Sequence, residues 1–401
     1  MRKKFYFNLI VCLICFSLIP INPKIAYGFV MYNNENIPPN SKSEFYLYVK
    51  NLFDTKNKVF FTGDFSYFKT FYDLSQKYGL YSLEHEVKRF SYLRDWASER
   101  GIKFTEITSI PIIKKVEFSG GYTKIRVDEE YKIKYIYKDD HSPKENVFGI
   151  SLLHHMKLKK QNDSWKIYTD YYLDCFEDAL KAYNVNLKET KLPQPKTQKY
   201  DFTKFVKSEL ELSSEYKKGD YKRSQAIKYA DRYCGVTWAT SGANPKYNKK
   251  YKNYTGIGGN CTNYVSQCLG DKEGGDLKHG GGWYAIYKKY NFADCSAAWV
   301  NADAFKNHLI YSGKGRLLKR GSFETLVTPS DNNPNGFIGK VQPGDIIAYE
   351  KKHKTDHNAI VTALDSHGYP MINSHTVERY HVPFDLGWGD NGIYFHLIHM
   401  R

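Results

Sequence analysis

Gly258-Gly259-Asn260-Cys261-Thr262-Asn263-Tyr264-Val265-Ser266-Gln267-Cys268-Leu269 is the stretch on which the reading of this chain turns. A glycine pair makes a turn, Asn260 is a good N-cap residue, and Cys261 falls at the first helical position. Val265, Cys268 and Leu269 then recur at helical spacing and predict a buried face. A helix start presents unpaired N–H groups and a partial positive charge, which favours thiolate over thiol. The same N–H groups can hold the oxyanion of a tetrahedral intermediate. Cys261 is therefore a candidate nucleophile, with Asn260 beside it as a candidate orienting or oxyanion residue. The plain alternative for Cys261 is a small core residue or half of a disulfide. Cys268, two turns deeper, reads as core.

Downstream, Gln342-Pro343-Gly344-Asp345 is a turn before the strand-like Ile346-Ile347-Ala348-Tyr349. A polar turn, Glu350 to Asp356, leads to His357-Asn358-Ala359-Ile360-Val361 as the next strand. His357 is thus expected at a strand start, where an imidazole can take a thiol proton and return it to a leaving group. The alternative is a surface histidine beside a turn. Ser366-His367-Gly368 is a further turn, and Pro370 to Thr376 a further strand on which Asn373 and His375 share one face. Either can fix the far nitrogen of His357 as the third member of a triad, and His375 is preferred.

A helix with Cys, a strand with His and a strand with a polar orienter, in this order, resemble the papain-like hydrolases of the NlpC and CHAP type. The nearest likeness is to the putative amidase domain family of secreted Gram-positive proteins. That family's Asp-Cys-Thr-Asn-Phe-Val-Ser-Gln segment stands here as Asn260-Cys-Thr-Asn-Tyr-Val-Ser-Gln267. Its Pro-Gly-Asp turn is Pro343-Gly344-Asp345, its Asp-His strand start is Asp356-His357, its later histidine is His375, and its Gly-Trp is Gly282-Trp283. The resemblance covers about residues 221–398. It implies a papain-like α+β fold and cysteine-dependent hydrolysis of an amide, with Cys261 and His357 as the reacting pair. Asn260 departs from the acid common at that position.

Upstream of this region the chain reads as a separate α+β unit. Residues 43–99 have helical periodicity, with Leu80, Leu83, Val87, Phe90 and Leu93 on one face. Residues 103–118, 122–137, 147–159 and 164–172 are rich in Ile, Val, Tyr and Phe, and Gly120-Gly121 and Asn162-Asp163 supply turns. Helices followed by an antiparallel sheet, closing on the hairpin Met156 to Ile167 with Trp165, resemble the nuclear-transport-factor-like cone fold. His154-His155 is not expected to hold a metal, because neighbours on a strand point to opposite faces. The resulting division is a signal peptide over 1–28, an accessory domain over 29–190, a linker over 191–220 and the papain-like domain over 221–401.

The signal rests on Arg2, Lys3 and Lys4, an apolar run from Phe5 to Ile21, and Ala26-Tyr27-Gly28 at a cleavage site. Removing residues 1–28 takes away four cations and no acids and lowers the formal charge from +16 to +12. A secreted chain so charged is drawn to polyanions such as teichoic acids, anionic lipid or shed nucleic acid; peptidoglycan or anionic wall polymer is the partner that the resemblance implies. Five cysteines remain, an odd number that leaves at least one thiol free or intermolecular. Without a CxxC pair, a Walker glycine loop or a zinc-finger pattern, no metal, cofactor, nucleotide or specific nucleic acid is expected. The expected function is a secreted cysteine amidase or peptidase acting on wall peptide amides through a thioester. Acyl transfer to an amine would use the same residues. The competing expectation is a surface-binding protein whose papain-like domain has lost activity.

Overall fold

The computed structural model describes residues 39–202, 220–240, 246–257, 259–287, 293–389 and 392–401. The expected signal segment 1–28, Gly258 and most of the linker lie outside the described residues. Residues Asn36–Arg401 form one compact unit.

The first half opens with helix α1 (Pro39–Thr62), the single turn α2 (Ser66–Lys69) and helix α3 (Lys77–Glu99). Leu83, Val87, Phe90 and Leu93 of α3 are buried as the periodicity predicts, whereas Leu80 stays 38% exposed. Four strands follow: β1 (Ile102–Ser119), β2 (Tyr122–Tyr137), β3 (Asn146–Gln161) and β4 (Ser164–Tyr171). They meet through the turns expected of Gly120-Gly121 and Asn162-Asp163, all four with positive φ. That geometry matches the right-handed twist of the flanking strands. His154 is buried and His155 exposed, as alternation requires. His154 lies between Glu129 (3.1 Å) and Asp170 (2.9 Å), and Lys56 meets Glu129 at 2.5 Å, so this interior is held by charges as well as by apolar contact. One further helical turn, α4 (Glu177–Leu180), leads out of this half.

The second half begins with α5 (Arg223–Arg232) and α6 (Cys261–Gly270). The short pair β5 (Ala285–Tyr287) and β6 (Ala293–Cys295) precedes α7 (Ala297–Val300), α8 (Ala302–Tyr311), β7 (Gly315–Gly321) and α9 (Phe323–Val327). The chain ends in β8 (Ile346–Lys351), β9 (Lys354–Leu364), β10 (Pro370–Ser374), β11 (Glu378–Pro383) and β12 (Ile393–Met400).

Both halves share one antiparallel sheet, in the order β1-β2-β3-β11-β10-β9-β8-β12-β7, with β4 also on β3. The architecture is therefore mixed α+β around a large antiparallel sheet. The free edge of β3 is divided: Gly149, Ile150 and Ser151 pair with β11, and His155 to Gln161 pair with β4. Side chains lock the same junction. Glu130 accepts from Thr237 N, Thr237 Oγ1 and Trp238 N, Asp128 holds Lys246 at 3.0 Å, and Asp385 accepts from Trp96 Nε1.

Alternation on the central strands decides what each face meets. Ile347, Tyr349, Ala359 and Val361 join the apolar cluster continuous with the first half. Ile346, Ala348 and Ile360 join a second cluster with Val265 and Leu269 of α6 and Phe305 of α8. Trp283 and Trp299 belong to this second cluster, and Trp388 packs against the first.

Candidate functional site: a cysteine at a helix start

Cys261 opens α6, as the glycine turn and Asn260 predict. It is 5% exposed and lines a cavity of about 510 Å³. Gly259 and Thr262 line it with Cys261, as do Asn301 and Ala302 at the start of α8 and the tip of the β8–β9 hairpin. Burial pushes the Cys261 thiol up, against the pull of the Asn358 backbone and the hydroxyls of Thr262 and Thr376. In this state the sulfur is a neutral thiol at neutral pH.

Asn260 does not cap the helix through its side chain. Its Oδ1 accepts from Asn263 Nδ2 at 2.7 Å, and its backbone N–H donates to Thr376 Oγ1 at 2.8 Å. Its Nδ2 lies 3.1 Å from His375 Nδ1. The other nitrogen of His375 is 2.6 Å from the Tyr233 carbonyl. A carbonyl only accepts, so Nε2 of His375 carries the proton and Nδ1 accepts from Asn260. Burial lowers the pKa of His375 to about 3, and its ring stacks on Tyr264 of α6 with centroids 3.8 Å apart. His375 is thus a neutral strut between α6 and the segment after α5, in direct contact with the residue before Cys261. It makes no bond to His357.

His357 stands on the sheet face opposite α6. It pairs across the hairpin with Tyr349, and its ring lies 5.5 Å from both the Tyr349 and Trp388 rings. The next residue, Asn358, faces α6 and donates to Thr262 Oγ1 at 3.0 Å. The cause is local. Tyr349 pairs with His357 but Glu350 pairs with Thr355, so Asp356 is an extra, bulged residue. A bulge changes which of two neighbouring side chains meets a given face. The result is that Asp356 lines the cavity with Cys261, and His357 does not. Nε2 of His357 is buried without a hydrogen-bond partner, and burial, with Arg379 nearby, lowers its pKa to about 3. Asn373 is also occupied elsewhere: its Oδ1 accepts from Thr362 Oγ1 and His381 N, and its Nδ2 donates to Asp231.

The groups gathered around the sulfur are therefore the Thr262 and Thr376 hydroxyls and the Asn358 backbone, each one position after a residue singled out in the sequence. Thr376 carries a further signal that sequence does not contain. Its φ is +86°, a strained conformation for a β-branched residue. Such strain concentrates at functional sites, where the surrounding structure enforces it. All five cysteines from Cys175 onward carry free thiols, and among the described residues no group of three His, Cys, Asp or Glu gathers as a metal site.

A thiol at a helix start, at the wall of a cavity on an α+β scaffold, is the arrangement used by enzymes that form covalent thioesters. Residues 220–398 match the family described as "Putative amidase domain", a description that points to hydrolase chemistry. Among the relatives, the Bacillus subtilis (strain 168) protein called Uncharacterized protein YhbB is 29% identical over 164 residues, covering 39% of this chain and 42% of that one. Uncharacterized protein YjcM of the same strain is 28% identical over 239 residues, covering 56% of this chain and 48% of that one. The chain thus spans under half the length of these relatives. No solved structure matches it.

Proposed function

We propose that this protein is exported and hydrolyses amide bonds, with Cys261 as nucleophile. The observation that carries the reading is the position of Cys261, at the first residue of α6 and on the wall of the cavity. In the proposed reaction the thiol gives up its proton to a base and attacks the amide carbonyl. The N–H groups at the start of α6 face the oxyanion so formed. The amine leaves with a proton, and water then hydrolyses the thioester. Peptide amides of the cell wall are the natural extracellular substrate, and a basic chain is retained near anionic wall polymer.

His357 is the proposed base. The reading requires its imidazole to reach the α6 face, and the bulge at Asp356 is where the strand can change register by one residue. The unpartnered Nε2 of His357 supports this, because a buried orphan nitrogen favours any arrangement that supplies it with a partner. His375 and Asn260 are proposed as positioning residues for the start of α6.

The test is digestion of purified peptidoglycan by chain lacking residues 1–28, with Cys261→Ala and His357→Ala as controls and mass spectrometry of the released fragments. New amine ends from the parent protein alone establish the hydrolase and identify the bond. Release by Cys261→Ala ends the assignment of the nucleophile. A second reading is favoured by the raised thiol pKa and by the imidazole turned away from the sulfur: a surface-binding protein with a silent site. It predicts that peptidoglycan is bound but not cut, and that Cys261 is slow to alkylate at neutral pH.

A further inference from the structure

One wall of the cavity that Cys261 lines has a chemistry that the proposed hydrolysis does not by itself require. It is the tip of the β8–β9 hairpin, Lys351-Lys352-His353-Lys354, and all three lysines line the cavity. Lys352 and His353 have φ of +50° and +61°, the two-residue turn in which both central residues are left-handed. That turn fixes the tip closely. Lys351 is anchored further by Asp178 of α4 at 2.5 Å, so the first half of the chain holds this wall in place. Lys352 and Lys354 are exposed and, among the described residues, form no ion pair.

Other features of the cavity have the same sign. Two ten-residue helices begin at residues that line it, α6 at Cys261 and α8 at Ala302, so the positive ends of two helix dipoles lie at the cavity. Thr355 is 4% exposed and lines the cavity, with its hydroxyl beside the Asp303 carboxylate. The opposing charges are few. Among the described residues, Asp356 is the one carboxylate that lines the cavity; Asp303, in the first turn of α8, is held by Lys306 at 3.0 Å and by Thr355 N at 3.2 Å. Glu350, just before the tip, is tied to Arg320 and His396.

We infer that the cavity is a subsite for an acidic group, and that the substrate of Cys261 is an amide carrying a carboxylate close to the scissile bond, held by Lys352 and Lys354. This rests on the proposed role of Cys261 for the reaction, but the anion subsite is testable without it.

The test compares alkylation of Cys261 in the full chain by iodoacetate, which carries a carboxylate, and by neutral iodoacetamide, following the Cys261 peptide by mass spectrometry. The iodoacetate-to-iodoacetamide rate ratio is expected to exceed that of free glutathione by at least about threefold, since a charged cleft concentrates oppositely charged reagents. The excess should vanish in Lys352→Gln/Lys354→Gln and shrink as ionic strength rises. A ratio equal to that of glutathione, or one that survives the double substitution, overturns the inference while leaving Cys261 a reactive thiol. If neither reagent modifies Cys261, it is the hydrolase reading that fails. Calorimetry with an end-blocked Asp-containing tripeptide amide then decides the subsite: binding to the parent chain that is lost in the double variant upholds it, and no binding overturns it.

Discussion

At the scale of single residues, the start of α6 depends on a proton that has only one place to be. His375 donates through Nε2 to the Tyr233 carbonyl and accepts through Nδ1 from Asn260. Replacing Asn260 by the acid common in the family removes that donor and sets a carboxylate against Nδ1. The expected response is protonation of Nδ1, which makes His375 an imidazolium in contact with Asp. Asn260→Asp should therefore raise the His375 pKa from about 3 to above its ordinary value of 6.5, read from imidazole NMR shifts between pH 3 and 9. A His375 that stays neutral throughout would show that the contact does not form. Thr376→Val tests the neighbouring bond. It keeps the shape, removes the acceptor for Asn260 N, and should cost about 1–3 kcal/mol in chemical denaturation. The position of Cys261 was legible because its signals are local: a glycine turn, a cap-type residue, and apolar residues at helical spacing. The face taken by His357 was not, because adjacent strand residues differ only in parity and one bulged residue, Asp356, sets that parity.

At the scale of elements, the four strands of the first half could be read because turn-forming residues punctuate them. The pairing of β3 with β11 could not. It joins Ile150 to Arg379, and no local pattern marks the short strand β11 as the neighbour of a strand so distant in sequence. Beside this pairing, a missing side chain makes room for the Val236–Trp238 segment. A Cβ on Gly149 would lie 2.6 Å from the Trp238 ring and 3.0 Å from Val236. Gly149→Val should therefore pry Trp238 from the sheet and destabilise the protein by about 1–3 kcal/mol, the range for forced overpacking. Denaturant unfolding followed by Trp fluorescence checks this, and an unchanged midpoint would mean that the Trp238 segment yields freely.

At the scale of the molecule, the sheet and the apolar cluster that follows it make the two halves mutually dependent. A fragment of residues 220–401 exposes the edge of β11 and the cluster face of β8 and β9, including Ile347, Tyr349 and Val361. It is expected to aggregate or to melt well below the intact chain, measured by circular dichroism and light scattering. The charged interior of the first half adds a pH dependence. Burial alone would lower the pKa of His154, but Asp170 and Glu129 outweigh it and raise the value to about 9. A base whose pKa is raised on folding stabilises the fold below its unfolded value of 6.5, and that contribution is lost as pH rises through 9. Thermal midpoints should fall between pH 6.5 and 9, and His154→Gln should be less stable at pH 6 with a flatter decline above it. A parent melting curve independent of pH in that window would show that His154 is not charged in the fold.

The place of β11 between β3 and β10 also bears on how the polypeptide reaches this form. Synthesis delivers β3 more than two hundred residues before β11, so the stretch Gly149 to Ser151 on one edge of β3 waits unpaired while the rest of the chain emerges. Unpaired strand edges are templates for wrong partners. Completion of the first half is thereby postponed until nearly the whole chain is available. Under the export proposed above, such a delay is an asset: the late strand acts as a timer that keeps the early ones from setting too soon.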